Sequence, residues 1–107
     1  MKLRIYKELL ELISALRPTI DKIGRHDSDL ARQMRRALAS SALNLSEGYR
    51  GRGKSRNARY QLSLGSAAES LSCIEVAVAL GYITCLAPAQ ADSFDKIIAT
   101  LVKLSRS

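Results

Sequence analysis

Residues 48–55 read Gly48-Tyr-Arg-Gly-Arg-Gly-Lys-Ser55, and how they are read decides the fold. The letters match the G-x-x-x-x-G-K-[ST] phosphate loop, which works only where a buried strand feeds a glycine-rich turn at a helix start. Here the residues upstream, Ala37 to Glu47, have helical spacing and end in Asn44-Leu-Ser-Glu47. No later run of β-branched residues ends in an Asp suited to magnesium, and nothing alternates with period two. The stretch is therefore read as a cationic elbow between two helices, and nucleotide hydrolysis is set aside.

Outward from the elbow, four helical segments are predicted. In the first, Tyr6, Leu9, Ile13, Leu16, Ile20 and Ile23 recur at 3, 4, 3, 4, 3, one side of a helix from about Lys2 to Ile23. Pro18 removes the bond to the Ser14 carbonyl, so a kink or restart is expected there. Asp27 or Ser28 caps the second segment, whose inner stripe is Leu30, Met34, Ala37, Leu38, Ser41 and Leu45 and whose stop is Gly48. The elbow Tyr49 to Lys54 follows, with Ser55 the cap of the third segment. There Tyr60, Leu64, Ala67, Leu71, Ile74 and Val78 recur at 4, 3, 4, 3, 4 before Gly81. Pro88 opens the fourth, with Ala91, Phe94, Ile98 and Leu101 as its core edge. The expectation is a single domain over residues 1–107, an all-α, antiparallel up-down-up-down four-helix bundle.

Some apolar residues fall outside these stripes. Ile5, Leu10 and Leu12 widen the first helix's face beyond what one core requires, and Leu62, Cys73, Val76 and Leu80 lie roughly opposite the stripe of the third. Surplus faces of this kind point to a homo-oligomer built through those two helices.

Charge is unevenly spread. The formal net charge is +7; residues 1–59 hold 14 Lys/Arg against 6 Asp/Glu, and residues 60–107 hold 3 against 4. Such a balance favours polyanionic partners. Arg50, Arg52, Lys54, Arg56 and Arg59 put five cations in ten residues without an acid, and Arg32, Arg35 and Arg36 are candidates to extend the patch. Arginine forks match phosphate oxygens, so RNA or DNA backbone is the expected ligand. Only Tyr49 and Tyr60 lie near enough to stack on bases, which leaves sequence recognition poorly supported. The competing reading is a solvated basic loop.

Catalytic and metal constellations are not found. His26, the one histidine, sits in a turn, and Glu69 and Glu75 are six apart and so on different faces. Glu47 is read as fixing a helix end through hydrogen bonds or ion pairs, beside Arg35 and Arg36. Cys73 and Cys85 lack C-x-x-C spacing and are read as small buried thiols. No uninterrupted apolar run forms a signal segment, and the longest, Val76 to Ile83, falls short of the roughly 20 residues a bilayer needs. No enzyme activity, metal, cofactor or membrane partner is expected.

The block Gln33-Met-Arg-Arg-Ala-Leu-Ala-Ser-Ser-Ala-Leu-Asn-Leu-Ser-Glu-Gly48, then the basic elbow, then Tyr60-Gln-Leu-Ser-Leu-Gly-Ser-Ala-Ala-Glu69, resembles a bacterial family of four-helix-bundle proteins associated with intervening sequences of 23S ribosomal RNA genes. It is similar also to the accessory variability proteins of diversity-generating retroelements. The resemblance spans nearly the whole chain. It implies a cytoplasmic bundle without enzymatic activity that assembles into a ring, commonly a pentamer. The retroelement branch further implies a nucleic-acid-binding basic surface, here falling on Arg50, Arg52, Lys54, Arg56 and Arg59, and a reverse transcriptase partner.

Overall fold

Pro18 divides the first predicted helix. The computed structural model describes residues 2–106, which form five helices and no strand: α1 (Lys2–Ala15), α2 (Arg17–His26), α3 (Ser28–Arg50), α4 (Gly53–Ala79) and α5 (Pro88–Arg106). Between α1 and α2 stands one turn residue, Leu16. Helical bonding crosses the joint, since the Leu16 amide donates to the Leu12 carbonyl at 2.9 Å and the Ile20 amide to the Leu16 carbonyl at 2.9 Å. Pro18 sits in the first turn of α2, where its missing N–H is tolerated. The restart expected at Pro18 is thus present, while α2 continues past Ile23 to His26.

α3 packs against α4, α2 and α1, and α5 lies against α4 and α1. In the first arm Leu9, Leu16, Ile20 and Ile23 are buried as the spacing requires, with Tyr6 and Ile13 half-buried. Ile5 and Leu12 are buried too, because α1 meets both α3 and α5 and needs a face wider than one stripe. That corrects the expectation of a surplus face on this helix: of the three extra residues only Leu10 is exposed, at 43 %.

Asp27 is the N-cap of α3, its Oδ1 accepting from the Leu30 amide at 3.0 Å. Its other oxygen accepts from the Tyr82 hydroxyl at 3.3 Å, and the Tyr82 ring stacks on His26 at 5.1 Å between centroids. The connection between α4 and α5 is thereby fastened to the corner between α2 and α3. Burial, then the Asp27 charge and hydrogen bond, hold the Tyr82 phenol above its ordinary value. A phenol raised in this way supports the fold fully below the ordinary tyrosine value and ceases to as pH rises through the raised one. Asp27→Ala is expected to cost about 1 kcal/mol, read from the urea midpoint, the usual loss for an N-cap.

α3 and α4 meet through serines. Ser41 Oγ donates to the Ser63 carbonyl at 3.0 Å, Ser63 Oγ to the Ser41 carbonyl at 2.8 Å, and Ser66 Oγ to Ser40 Oγ at 2.9 Å. The order of these pairs shows the two helices running in opposite directions. Ser41, Ser63 and Ser70 are fully buried and each is bonded, so their burial carries no unmet polar group. The buried line of α4 is Tyr60, Ser63, Ala67, Ser70, Cys73, Ile74 and Ala77. Against the predicted stripe, Leu64 and Leu71 are only half-buried and Val78 is exposed. The reason is physical: small side chains let two backbones approach, whereas spacing of large apolar residues locates only the edges of such a contact.

Leu62, Val76 and Leu80 are exposed, at 53 %, 45 % and 56 %, as the surplus-face reading expects, but Cys73 is buried. Cys85, expected to be buried, is exposed. Burial and then the nearby Glu69 charge push the Cys73 thiol upward. Native protein is therefore expected to release one equivalent of thiol to a chromogenic disulfide reagent at pH 8 and the second only on unfolding. α4 is also long and apolar enough, by length and composition alone, to cross a membrane, with a mean hydropathy of 1.3 over its most apolar window. Its C-terminus closes with Gly81 at φ +81, the Tyr82 amide bonding the Ala77 carbonyl and the Gly81 amide the Val78 carbonyl, as expected from Gly81.

Candidate nucleic-acid interface

The corner between α3 and α4 is built on Gly48. This glycine does not end its helix, as expected, but lies buried inside it, and α3 runs on to Arg50. A Cβ at position 48 would stand 2.7 Å and 2.8 Å from two ring carbons of Tyr60 and 3.2 Å from Arg59 Cβ. Glycine is required here by the close approach of α4, not by a left-handed turn.

Only Gly51 and Arg52 lie between the two helices. Gly53, at φ +60, starts α4 with Arg52 as its N-cap, and Arg52 makes no side-chain cap bond. Ser55, the expected cap, falls in the first turn of α4 and is exposed. No strand leads into Gly48 among the described residues, so the phosphate-loop spelling lacks the strand it needs.

The corner is braced. Arg56 directs both Nε and Nη2 at the Gly51 carbonyl, at 3.1 Å and 2.9 Å. Arg59 Nη1 donates to Asn44 Oδ1 at 3.1 Å and stands 3.2 Å from Glu47 Oε2. Glu47 thus fixes this helix end, through Arg59 and not Arg35 or Arg36. Arg56→Ala is expected to cost about 1 kcal/mol and to quicken amide exchange over residues 51–54, since a charged donor is lost from a partly buried carbonyl.

The eight candidate cations do not form one patch. Arg50, Arg52 and Lys54 are exposed and make no ion pair among the described residues. Arg56 spends its fork on a neutral carbonyl and keeps its full charge. Arg59 is offset by Glu47. Arg32, Arg35 and Arg36 belong to the other end of α3, about 21 to 27 Å from Arg50 at 1.5 Å per residue. There Arg32 meets Asp29 at 3.4 Å, Arg35 meets Asp21 at 3.7 Å, and Arg36 shares a shallow depression with Asp29 and Glu69. Three arginines share this end with three carboxylates, so among the eight candidates the unbalanced charge lies at the corner.

Tyr60 is 4 % exposed and pressed against Gly48, so it cannot stack on a base; Tyr49 is half-buried. The arrangement can hold phosphate oxygens by charge and guanidinium forks, and it offers little to read bases with. The sequence reading missed the Arg56 brace and the Gly48–Tyr60 contact; a small residue in α3 level with an aromatic in α4 is the signal for the second. No group of three or more His, Cys, Asp or Glu side chains that could hold a metal occurs among the described residues.

The description "23S rRNA-intervening sequence protein" belongs to the family whose pattern matches the chain over residues 1–107. No curated protein and no solved structure matches it.

Proposed function

The chain belongs to the 23S rRNA-intervening sequence protein family, and from that premise we propose that it is a non-enzymatic, cytoplasmic protein that binds nucleic-acid backbone through the α3–α4 corner. The observation that carries the reading is Arg50, Arg52 and Lys54 standing exposed and unpaired beside Arg56 on a braced turn. A fixed corner presents its charges without the entropy that a floppy loop loses on binding. Arg32, Arg35 and Arg36 take a lesser part, because carboxylates already offset them.

The test is a filter-binding titration of RNA and DNA across salt concentrations. Three or four phosphate contacts give a slope of log affinity against log salt of about −3. The variant with Arg50, Arg52, Lys54 and Arg56 changed to glutamine is expected to lose salt-sensitive binding. Unchanged affinity in that variant would refute the proposal.

A second reading concerns assembly. In it α1 and α2 count as one arm, and the chain is an antiparallel four-arm bundle that forms a homo-oligomer, a pentameric ring as the family resemblance implies. Its support is the outward side of α4, where Leu62 and Val76 recur with the small residues Ala58, Gly65, Ser72 and Ala79 at heptad spacing. Glu69 stands midway along that stripe, so two copies crossing antiparallel at that point would oppose like charges. A different face of the next copy is the better partner, and head-to-tail contacts of that sort generate rings. Rings would multiply the weak grip of each corner. The alternative occupant of the same face is another polypeptide, such as a reverse transcriptase, with the protein acting as a scaffold. Light scattering at micromolar concentration decides between them: a monomer ends the oligomer reading.

A further inference from the structure

The joint between α1 and α2 opens a cleft that shares only Arg35 with the polyanion reading. Ile13 of α1, Ile20 of α2 and Leu38 of α3 line it; Ala39 of α3 leaves one wall low; Arg17, Asp21 and Arg35 stand around it, enclosing about 310 Å³. Ile20 and Leu38 are buried and Ile13 half-buried, so the floor is apolar. The cause is local. Where the arm passes over this part of α3, α3 carries only a methyl group, at Ala39.

We propose that this cleft binds a small amphipathic monocarboxylate, its apolar body on Ile13, Ile20 and Leu38 and its carboxylate between the guanidinium groups of Arg17 and Arg35. Three observations support that ligand class. Arg17 makes no ion pair among the described residues, and Arg35 is held only loosely, 3.7 Å from Asp21. Both forks therefore have donors to give, and guanidinium matches a carboxylate in two-point fashion. Two cations and one carboxylate leave a single net positive charge, which suits a monoanion, whereas a phosphate dianion would bring a charge with only Asp21 to meet. The volume is at the small end of the range that holds organic ligands, roughly 300 to 1,000 Å³, so the body is short.

The cleft is about 18 Å along α3 from the corner, counted from Ala39 to Gly51 at 1.5 Å per residue. Arg17 and the apolar floor take no part in the polyanion reading, and the corner variant keeps Arg35, so the two readings are tested separately. The probe is sodium octanoate, titrated below its micelle concentration into methyl-labelled full-length protein and followed by NMR. Saturable shifts are expected at Ile13, Ile20, Leu38 and Ala39, with 1-octanol and octyl phosphate at least fivefold weaker. Changing both Arg17 and Arg35 to glutamine is expected to weaken octanoate at least fivefold and leave octanol unmoved. Both side chains are exposed, so the fold is kept. Ala39→Leu fills the cleft and is expected to abolish all three interactions, while Asp21→Asn narrows the gap between octanoate and octyl phosphate. The proposal is overturned if shifts do not saturate, if octanol binds as tightly as octanoate, if the double variant binds octanoate unchanged, if Ala39→Leu still binds, or if Asp21→Asn leaves the gap as it was.

Discussion

Gly48→Val is expected to lower stability by about 3 kcal/mol, at the upper end of what overpacking costs. Valine adds a branch where a single Cβ already falls 2.7 Å from the Tyr60 ring. The ring cannot swing away, because it is buried in the core beneath that same contact. Helix propensity works the other way, since glycine is the poorer helix former, but by less than 1 kcal/mol, so strain wins. For a domain of this size the loss corresponds to roughly 10 to 20 °C in Tm. Reducing the partner tests the cause: Tyr60→Ala in the Gly48→Ala background should be less damaging than the two single changes summed, a coupling that urea midpoints would reveal. Strict additivity would mean that the two side chains do not oppose one another. Because the same contact places Arg59 and the start of α4, the proposed role of the corner further predicts that the variant binds polyanions less tightly than its residual stability accounts for.

Phe94→Ala is expected to cost about 3 to 5 kcal/mol. Phe94 is the chain's single phenylalanine and is 1 % exposed on α5, in the core that α5 shares with α1 and α4. Leucine, isoleucine and alanine make up most of the rest of that core, and they collapse poorly into a ring-sized void. Domains of this kind hold about 5 to 15 kcal/mol in all, so the substitution consumes a large part of the margin. Urea unfolding with an unchanged slope and a lowered midpoint would check it. A loss below about 1 kcal/mol would show that the neighbours close over the gap.

Helix content and most boundaries were legible because the signals are local. Asp27, Pro18, Gly81 and Pro88 act within one turn of themselves, and each does in the structure what its chemistry dictates. The face of α4 was harder to read, since periodicity weighs large residues, while the contacts with α3 run through Ser63, Ser66 and Tyr60 against Gly48. The breadth of α1 was ambiguous for the same kind of reason: Ile5 and Leu12 face the same chain's other helices, and no count of apolar positions distinguishes those from a second copy. At the corner, charge was visible in the spelling but its balance was not. That Glu47 faces Arg59 and Asp21 faces Arg35 follows only once α2, α3 and α4 are placed, whereas Asp29 and Arg32, three apart on α3, are within reach by helix spacing alone.

The two-residue link between α3 and α4 sets an order of assembly. Contacts across the hairpin join residues 15 apart at Asn44–Arg59, 22 apart at Ser41–Ser63 and 36 apart at Gln33–Glu69. Each closes a loop that the preceding one has already shortened, so the entropic penalty is met in small instalments and the pair should zip from the turn outward. Rate measurements on variants should then give φ-values nearest one at Gly48 and Tyr60, falling toward Gln33 and Glu69, which makes the charged turn the seed of the fold.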